Sequence, residues 1–171
     1  AGKVPFVYTA GAFLAYRAFE FIRDDVCFQN LNVKIVGMGS GLAWCSLGPS
    51  HHTTEDVSVL RAIPNLCILS PATPMQVAKC TELAHEIKGP VYMRIGMNNE
   101  PEYYGEDYQL PESGQDILRQ GEQIAIFVTG SILEEVMEAV ELLADIGISA
   151  TVVNVAVLKP FSETVLCQLY D

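Results

Sequence analysis

Two adjacent histidines, His51 and His52, stand in the run GSGLAWCSLGPSHHTTED from Gly39 to Asp56. Neutral imidazole both accepts and donates a proton near physiological pH, so a histidine on a shaped loop suits proton transfer. The loop has the residues to be shaped: Gly39, Gly41 and Gly48 admit backbone conformations closed to other types, and Pro49 fixes one dihedral. Thr53 with Asp56 three residues on has capping-box spacing, and Glu55 and Asp56 fall in the first turn of the helix that follows. Both acids are therefore read as caps rather than catalysts. Arg94 is the one charge in the run Val91 to Ile95. At the end of a buried strand its planar fork either takes an anion or pairs with a local acid, and both readings stay open. Phe13 and Tyr16 share one edge of a helix that follows a strand, where open α/β sheets bind ligands; two packing aromatics are the alternative. His85 falls in a last helical turn and is read as structural.

The elements that must position these residues follow from periodicity and punctuation. Val4 to Thr9 reads as a short buried strand, and Gly11 to Asp25 as a helix with Leu14, Ala18, Phe21 and Ile22 on one stripe. Val33 to Gly37 is the second strand, Thr54 to Ile63 a short helix, and Leu66 to Leu69 the third strand. Thr73 is placed as the N-cap and Pro74 as the first residue of a helix running to about Ile87. Val91 to Ile95 is the fourth strand. Residues 98–122, rich in Asn, Pro, Gly and acids, are expected as a linker between a first domain over 1–97 and a second unit over 123–171. That unit reads as a strand from Gln123 to Val128, a helix from Ile132 to Ala144 and a strand from Ala150 to Val155. Thr129-Gly130-Ser131 is taken as plain capping rather than an anion site. The fold class is α/β, a parallel sheet flanked by helices followed by an incomplete second α/β unit. Two strands make no stable sheet alone, so the chain is expected to be truncated or completed by a partner.

Composition narrows the function classes. Among 171 residues, half are hydrophobic and the net charge is -11, so a phosphate backbone finds no clustered Lys and Arg; nucleic acid is not expected as a partner. Five cysteines without a CxxC, four of them in apolar runs, fit buried thiols in a reducing compartment, with neither disulfides nor structural zinc. Apolar stretches too short to span a bilayer and the absence of a signal-like N-terminus lead to an expected cytoplasmic location, with no membrane partner.

The run VPFVYTAGAFLAYRAFEFIR, then NVKIVG, GPSHHTTEDVSVLRAIPNLCILSPATP and GPVYMRIG, resembles the pyrimidine-binding domain of the transketolase family, in particular its split-subunit forms. The likeness is continuous from about Gly2 to Gly96, and from Gln115 onward the chain is similar, less closely, to the start of the family's C-terminal domain. The resemblance implies a cofactor, thiamine diphosphate, held between two chains. Its diphosphate and magnesium ion would sit on a diphosphate-binding domain or subunit, and no metal ligand is expected here. It further implies a homodimer or heterotetramer, and transfer of a two-carbon ketol unit between sugar substrates. The family's stacking aromatic falls on Phe13, a second pocket aromatic on Tyr16, the active-site histidine on His51, and a substrate-gripping arginine on Arg94. His52 has no fixed role in the match and is carried as a second substrate contact or a loop-packing residue. Leu47, Gly39 and Ala10 stand where the family has an acid, a histidine and a phenylalanine, which makes the substrate end more apolar. The family's activating glutamate falls N-terminal to Ala1, and no acid precedes Glu20, so this stretch alone is expected to be inactive. The architecture is shared by 2-oxoacid dehydrogenase beta subunits and deoxyxylulose phosphate synthases. A non-catalytic assembly module of the same fold is the rival from another class.

Overall fold

A computed structural model describes residues 2–97 and 99–170. The strands are Phe6–Ala10 (β1), Lys34–Met38 (β2), Cys67–Leu69 (β3), Val91–Ile95 (β4), Gln115–Arg119 (β5), Ile124–Val128 (β6), Ala150–Val155 (β7) and Val157–Lys159 (β8). The α-helices are Phe19–Phe21 (α1), Asp56–Arg61 (α2), Pro74–Glu86 (α3), Leu133–Asp145 (α4) and Thr164–Tyr170 (α5). Long crossovers force parallel pairing on the first four strands, in spatial order β1-β2-β4-β3. The register sets Gly37 beside Arg94. A Cβ on Gly37 would lie 2.8 Å from the Tyr92 hydroxyl and 2.9 Å from Gly11 Cα, so only glycine lets the first helical segment approach here.

Three expectations change. The first strand is an exposed edge rather than a buried one: Phe6, Val7 and Tyr8 are 42%, 45% and 58% accessible, because one side of β1 has no neighbouring strand among the described residues. The helix expected over 11–25 is interrupted by π-helical turns at Phe13–Arg17 and Ile22–Cys27. Bonds from i to i+5 shift the side-chain register, so Ala15 is fully buried while Phe21, placed on the apolar stripe, is 64% exposed. The second unit has three strands, in order β5-β7-β6, and β5 falls inside the segment 98–122. It pairs antiparallel to β7, while β6 and β7 are parallel.

A strand pairing and a polar cluster are among the contacts that join the units. β8 returns to the first sheet and pairs antiparallel to β3, with Leu69 opposite Val157. Lys159 Nζ then donates to Arg61 O at 2.9 Å and to Ile63 O, where α2 ends. Another joint is polar. Thr73 caps α3 as expected, accepting from Gln76 N at 3.2 Å, and the Gln76 side chain turns into a half-buried cluster. Its amide donates to Tyr104 Oη (2.9 Å), Tyr108 Oη (3.2 Å) and Asp116 Oδ2 (3.1 Å), and Asn154 Nδ2 donates to Gln76 Oε1 at 3.0 Å. Tyr104 and Tyr108 also donate to Asp116 Oδ2, at 3.2 and 2.7 Å. One cluster thus ties α3 and β7 to β5 and to Tyr104 and Tyr108 in the loop before it.

Cys27 and Cys80 are buried and Cys67 is half-buried, whereas Cys45 and Cys167 are exposed, so fewer thiols are inside than their apolar neighbours imply. Burial pushes Cys27 and Cys67 up to about 11 and Cys80 to about 12. Limited iodoacetamide treatment at neutral pH, followed by peptide mass spectrometry, should label Cys45 and Cys167 first. Equal labelling of Cys80 would contradict this packing.

Candidate active site

The glycine loop after β2 is closed at its neck by two backbone bonds, Gly41 N to Thr53 O at 3.0 Å and Thr53 N to Gly41 O at 2.9 Å. Gly39 has φ +71°, and a Cβ there would lie 2.5 Å from Trp44 Cε3. The indole therefore packs where any side chain at 39 would stand. Short 3-10 turns at Cys45–Leu47 and Pro49–His51 carry the chain to the histidines.

The structure brings His51 and Phe13 together at the carboxyl ends of β1 and β2. Their ring centroids are 5.1 Å apart at 59°, and Trp44 meets the imidazole edge-on at 6.2 Å and 78°. Ser50 Oγ lies 3.0 Å from His51 Nδ1 and orients the ring. The Arg17 guanidinium stands 4.0 Å from the Phe13 centroid. Reading for titratable groups passes over Trp44, although it is the one tryptophan of the chain and lies inside its glycine loop.

Tyr16 reaches the same loop through its hydroxyl, which donates to Glu55 Oε2 at 2.8 Å and accepts from Glu55 N at 3.0 Å. Burial pushes this phenol up to about 12, against the bond from Glu55 N and with the Glu55 carboxylate adding to the rise. Hydrogen bonds from Tyr16 and Thr54 hold the Glu55 carboxyl below its usual value. His52 points back into the loop, Nε2 at 3.3 Å from Cys45 O, and packs it. His85 lies in the last turn of α3, away from this cluster.

The capping box is not formed. The N-cap of α2 is Glu55, with no side-chain cap bond, and Asp56 turns inward to full burial. There its Oδ2 accepts from Tyr92 Oη at 2.8 Å and from Arg94 Nε at 2.9 Å. A charge-assisted bond to arginine outcompetes a cap to a neutral amide, and β4 delivers both donors to that point. The Tyr92 hydroxyl is raised well above the tyrosine range by burial first and by Asp56 second. Arg94 thus pairs with a local acid, and its Nη2 also donates to Thr53 O at 3.3 Å, bracing the loop neck. Its Nη1 faces the second unit, 3.5 Å from where a Cβ on Gly130 would be.

Between Arg94 and the start of α4 lies a cleft of about 480 Å³, its walls including Ser40, Leu42, Thr129, Ser131 and Glu135. Thr129 is not a cap: its hydroxyl donates to Val155 O at 2.7 Å, and α4 begins after a 3-10 turn at Gly130–Ile132 without a side-chain cap bond. Among the described residues no three His, Cys, Asp or Glu side chains converge to hold a metal ion. No helix among them is long and apolar enough to cross a membrane.

Comparison with known proteins matches two family models, "Transketolase, pyrimidine binding domain" over residues 1–101 and "Transketolase, C-terminal domain" over residues 114–170. An apulose-4-phosphate transketolase subunit of Actinobacillus succinogenes is 37% identical over 159 residues, covering 93% of this chain and 51% of that protein. A putative transketolase C-terminal section of Methanocaldococcus jannaschii is 36% identical over 172 residues, covering 99% and 54%. A solved split-gene transketolase, described as an inactive beta4 tetramer, superposes with TM-score 0.87 at 36% identity, covering 98% of this chain and 54% of that one. The chain spans about half the length of the curated relatives it matches.

Proposed function

This chain belongs to the transketolase family, and on that footing we propose that it is part of a thiamine diphosphate-dependent subunit transferring a two-carbon ketol unit between sugar substrates. The observation that carries the proposal is the grouping of Phe13, His51 and Trp44 at the carboxyl ends of β1 and β2. An aromatic face with an imidazole beside it suits a flat heteroaromatic ring such as the cofactor's aminopyrimidine, so these residues fit that end of the cofactor. They do not fit its other end, since among the described residues no acidic metal cluster accompanies them. The diphosphate and a magnesium ion are therefore assigned to a diphosphate-binding domain or partner subunit, in a homodimer or heterotetramer.

When bound, thiamine diphosphate supplies the electron sink for the carbanion left as a ketose carbon–carbon bond breaks. This chain's own residues do the rest of what is assigned to it. Phe13 stacks on the pyrimidine ring, and Tyr16, its hydroxyl committed to Glu55, contributes ring surface and holds the loop. His51 accepts a proton from the donor's hydroxyl or stabilises the oxyanion that forms there. Arg94 faces the substrate through Nη1, and His52 packs the loop that carries His51.

The test is ketose cleavage by the complete subunit assembled with its diphosphate-binding partner, magnesium and thiamine diphosphate. Cofactor-dependent release of the shortened aldose is the expected result; cofactor binding without cleavage of any ketose overturns the reaction. Phe13→Ala should weaken cofactor binding about tenfold, the loss of one stacked ring. An unchanged cofactor Kd, measured by titration calorimetry, would remove Phe13 from that role.

A further inference from the structure

Beside the Phe13–His51 ring contact, the π-helical turn at Phe13–Arg17 and the histidine loop touch a second time. Tyr16 of that turn meets Glu55, which follows His51 along the chain. The first contact is between two rings tilted at 59°, a kind of contact that forms over centroid distances of about 4.5–7 Å and so fixes little by itself. The second is directional: the Tyr16 hydroxyl donates to Glu55 Oε2 at 2.8 Å and accepts from Glu55 N at 3.0 Å. Thr54 Oγ1 donates to the same carboxylate oxygen at 2.9 Å and steadies the acid. Glu55 stands at the N-cap of α2 yet makes no side-chain cap bond, so its carboxylate serves this cross-link instead of its own helix. The next residue, Asp56, turns the other way, into the pair with Arg94 and Tyr92. The exit of the loop is thus pinned on one side to β4 and on the other to the turn that carries Phe13. The bonds between Gly41 and Thr53 set where the loop leaves the sheet, but not how far it leans over Phe13.

Resting on the ketol-transfer reading, we propose that Glu55 is a positioning residue for the reaction. Through Tyr16 it holds the loop at the spacing that places the His51 imidazole against the edge of Phe13, and so sets the reach of the proton-transfer group toward a bound donor. Glu55 acts through Tyr16 and is assigned no contact with substrate or cofactor. Misplacing a reacting group by about 1 Å costs up to about a hundredfold in rate, so a loosened loop is expected to cost a part of that.

The experiment uses the complete assembled enzyme with its cofactor and one ketose donor. Tyr16→Phe keeps the ring but removes both bonds; it should lower kcat about tenfold while the cofactor Kd moves less than about twofold. Glu55→Ala removes only the bond to the carboxylate, since the backbone amide at position 55 still donates, and should cost about threefold. Tyr16→Phe/Glu55→Ala should be no slower than Tyr16→Phe, because both changes remove one link. Glu55→Gln should keep wild-type kcat: the Tyr16 and Thr54 bonds share a single oxygen, which an amide supplies. Hydrogen exchange reads the same link without turnover. The amide at position 55 should exchange about tenfold faster in Tyr16→Phe and at the wild-type rate in Glu55→Gln. Glu55→Gln as slow as Glu55→Ala would make charge the cause and overturn the proposal. Losses that multiply in the double variant, wild-type kcat in Tyr16→Phe, or unchanged exchange at position 55 would overturn it as well. If wild type cleaves no ketose, the ketol-transfer reading falls separately, and the exchange rates still decide whether Tyr16 and Glu55 hold the loop.

Discussion

Replacing His51 by alanine in the complete enzyme is expected to lower kcat by about 10²- to 10⁴-fold, the usual contribution of a positioned acid–base group. The cofactor Kd should move far less. The reason is geometric: Phe13 supplies the stacking surface, whereas His51 stands at the edge of that ring, tilted by 59°, with Ser50 holding its Nδ1 side. Loss of the imidazole leaves Trp44 and Phe13 to close over the gap, and the α2 anchor at Asp56 is untouched. Single-turnover kinetics with a ketose donor, beside calorimetric titration of the cofactor, separates the two effects. Equal turnover in the variant would take His51 out of the reaction, and a matching loss of cofactor affinity would make it a packing residue of the pocket.

The largest stability effect is expected at Asp116. Its Oδ2 accepts from Gln76, Tyr104 and Tyr108, the rings of the two tyrosines are 4.0 Å apart, and Gln76 in turn accepts from Asn154. Asp116→Ala would strand the two tyrosine hydroxyl donors in a half-buried cluster, while the Gln76 amide keeps its bonds to the tyrosine oxygens, at a cost of about 2–4 kcal/mol. For a chain of this length that is a fall in Tm of about 5–15 °C. A change within about 1 °C would mean the cluster rearranges around water. Asp116→Asn should cost less, and its deficit should change with pH. Burial raises the Asp116 carboxyl above its ordinary 3.8 despite the hydrogen bonds that oppose the shift. The stability linked to that raised value is fully present below pH 3.8 and is lost as pH rises through the folded pKa. Wild type therefore loses ground to Asp116→Asn over that window, a trend readable from denaturant midpoints at a series of acidic pH values.

Much of the first sheet is legible in the sequence because its signals are local. Apolar runs bounded by Gly, Pro and Asn mark β2, β3 and β4, and Thr73-Pro74 marks the start of α3 with the cap found there. The glycine loop is legible as a loop for the same reason: Gly39, Gly41 and Gly48 all take positive φ. The π-helical turns are not, since they depend on how the segment from Phe13 to Cys27 seats against the sheet. Nor is β5. Its sequence looks like connection, and it becomes a strand only because β7 offers an open antiparallel edge.

The residues near the candidate site divide the same way. Local sequence was enough to place an aromatic pair, two histidines and a strand-end arginine at the carboxyl ends of parallel strands, because element boundaries and side-chain types are written locally. Their pairings came from tertiary contact instead. Asp56 has the spacing of a cap and becomes the buried partner of Arg94 and Tyr92, since burial makes a charge-assisted bond between distant elements worth more than a local one in water. Trp44 fills the space above Gly39 for a reason no spacing encodes, the absence of a Cβ beneath it. The cleft between Arg94 and α4 likewise exists only because β8 folds the second unit back onto β3, bringing carboxylates near a cation that the chain places many residues earlier.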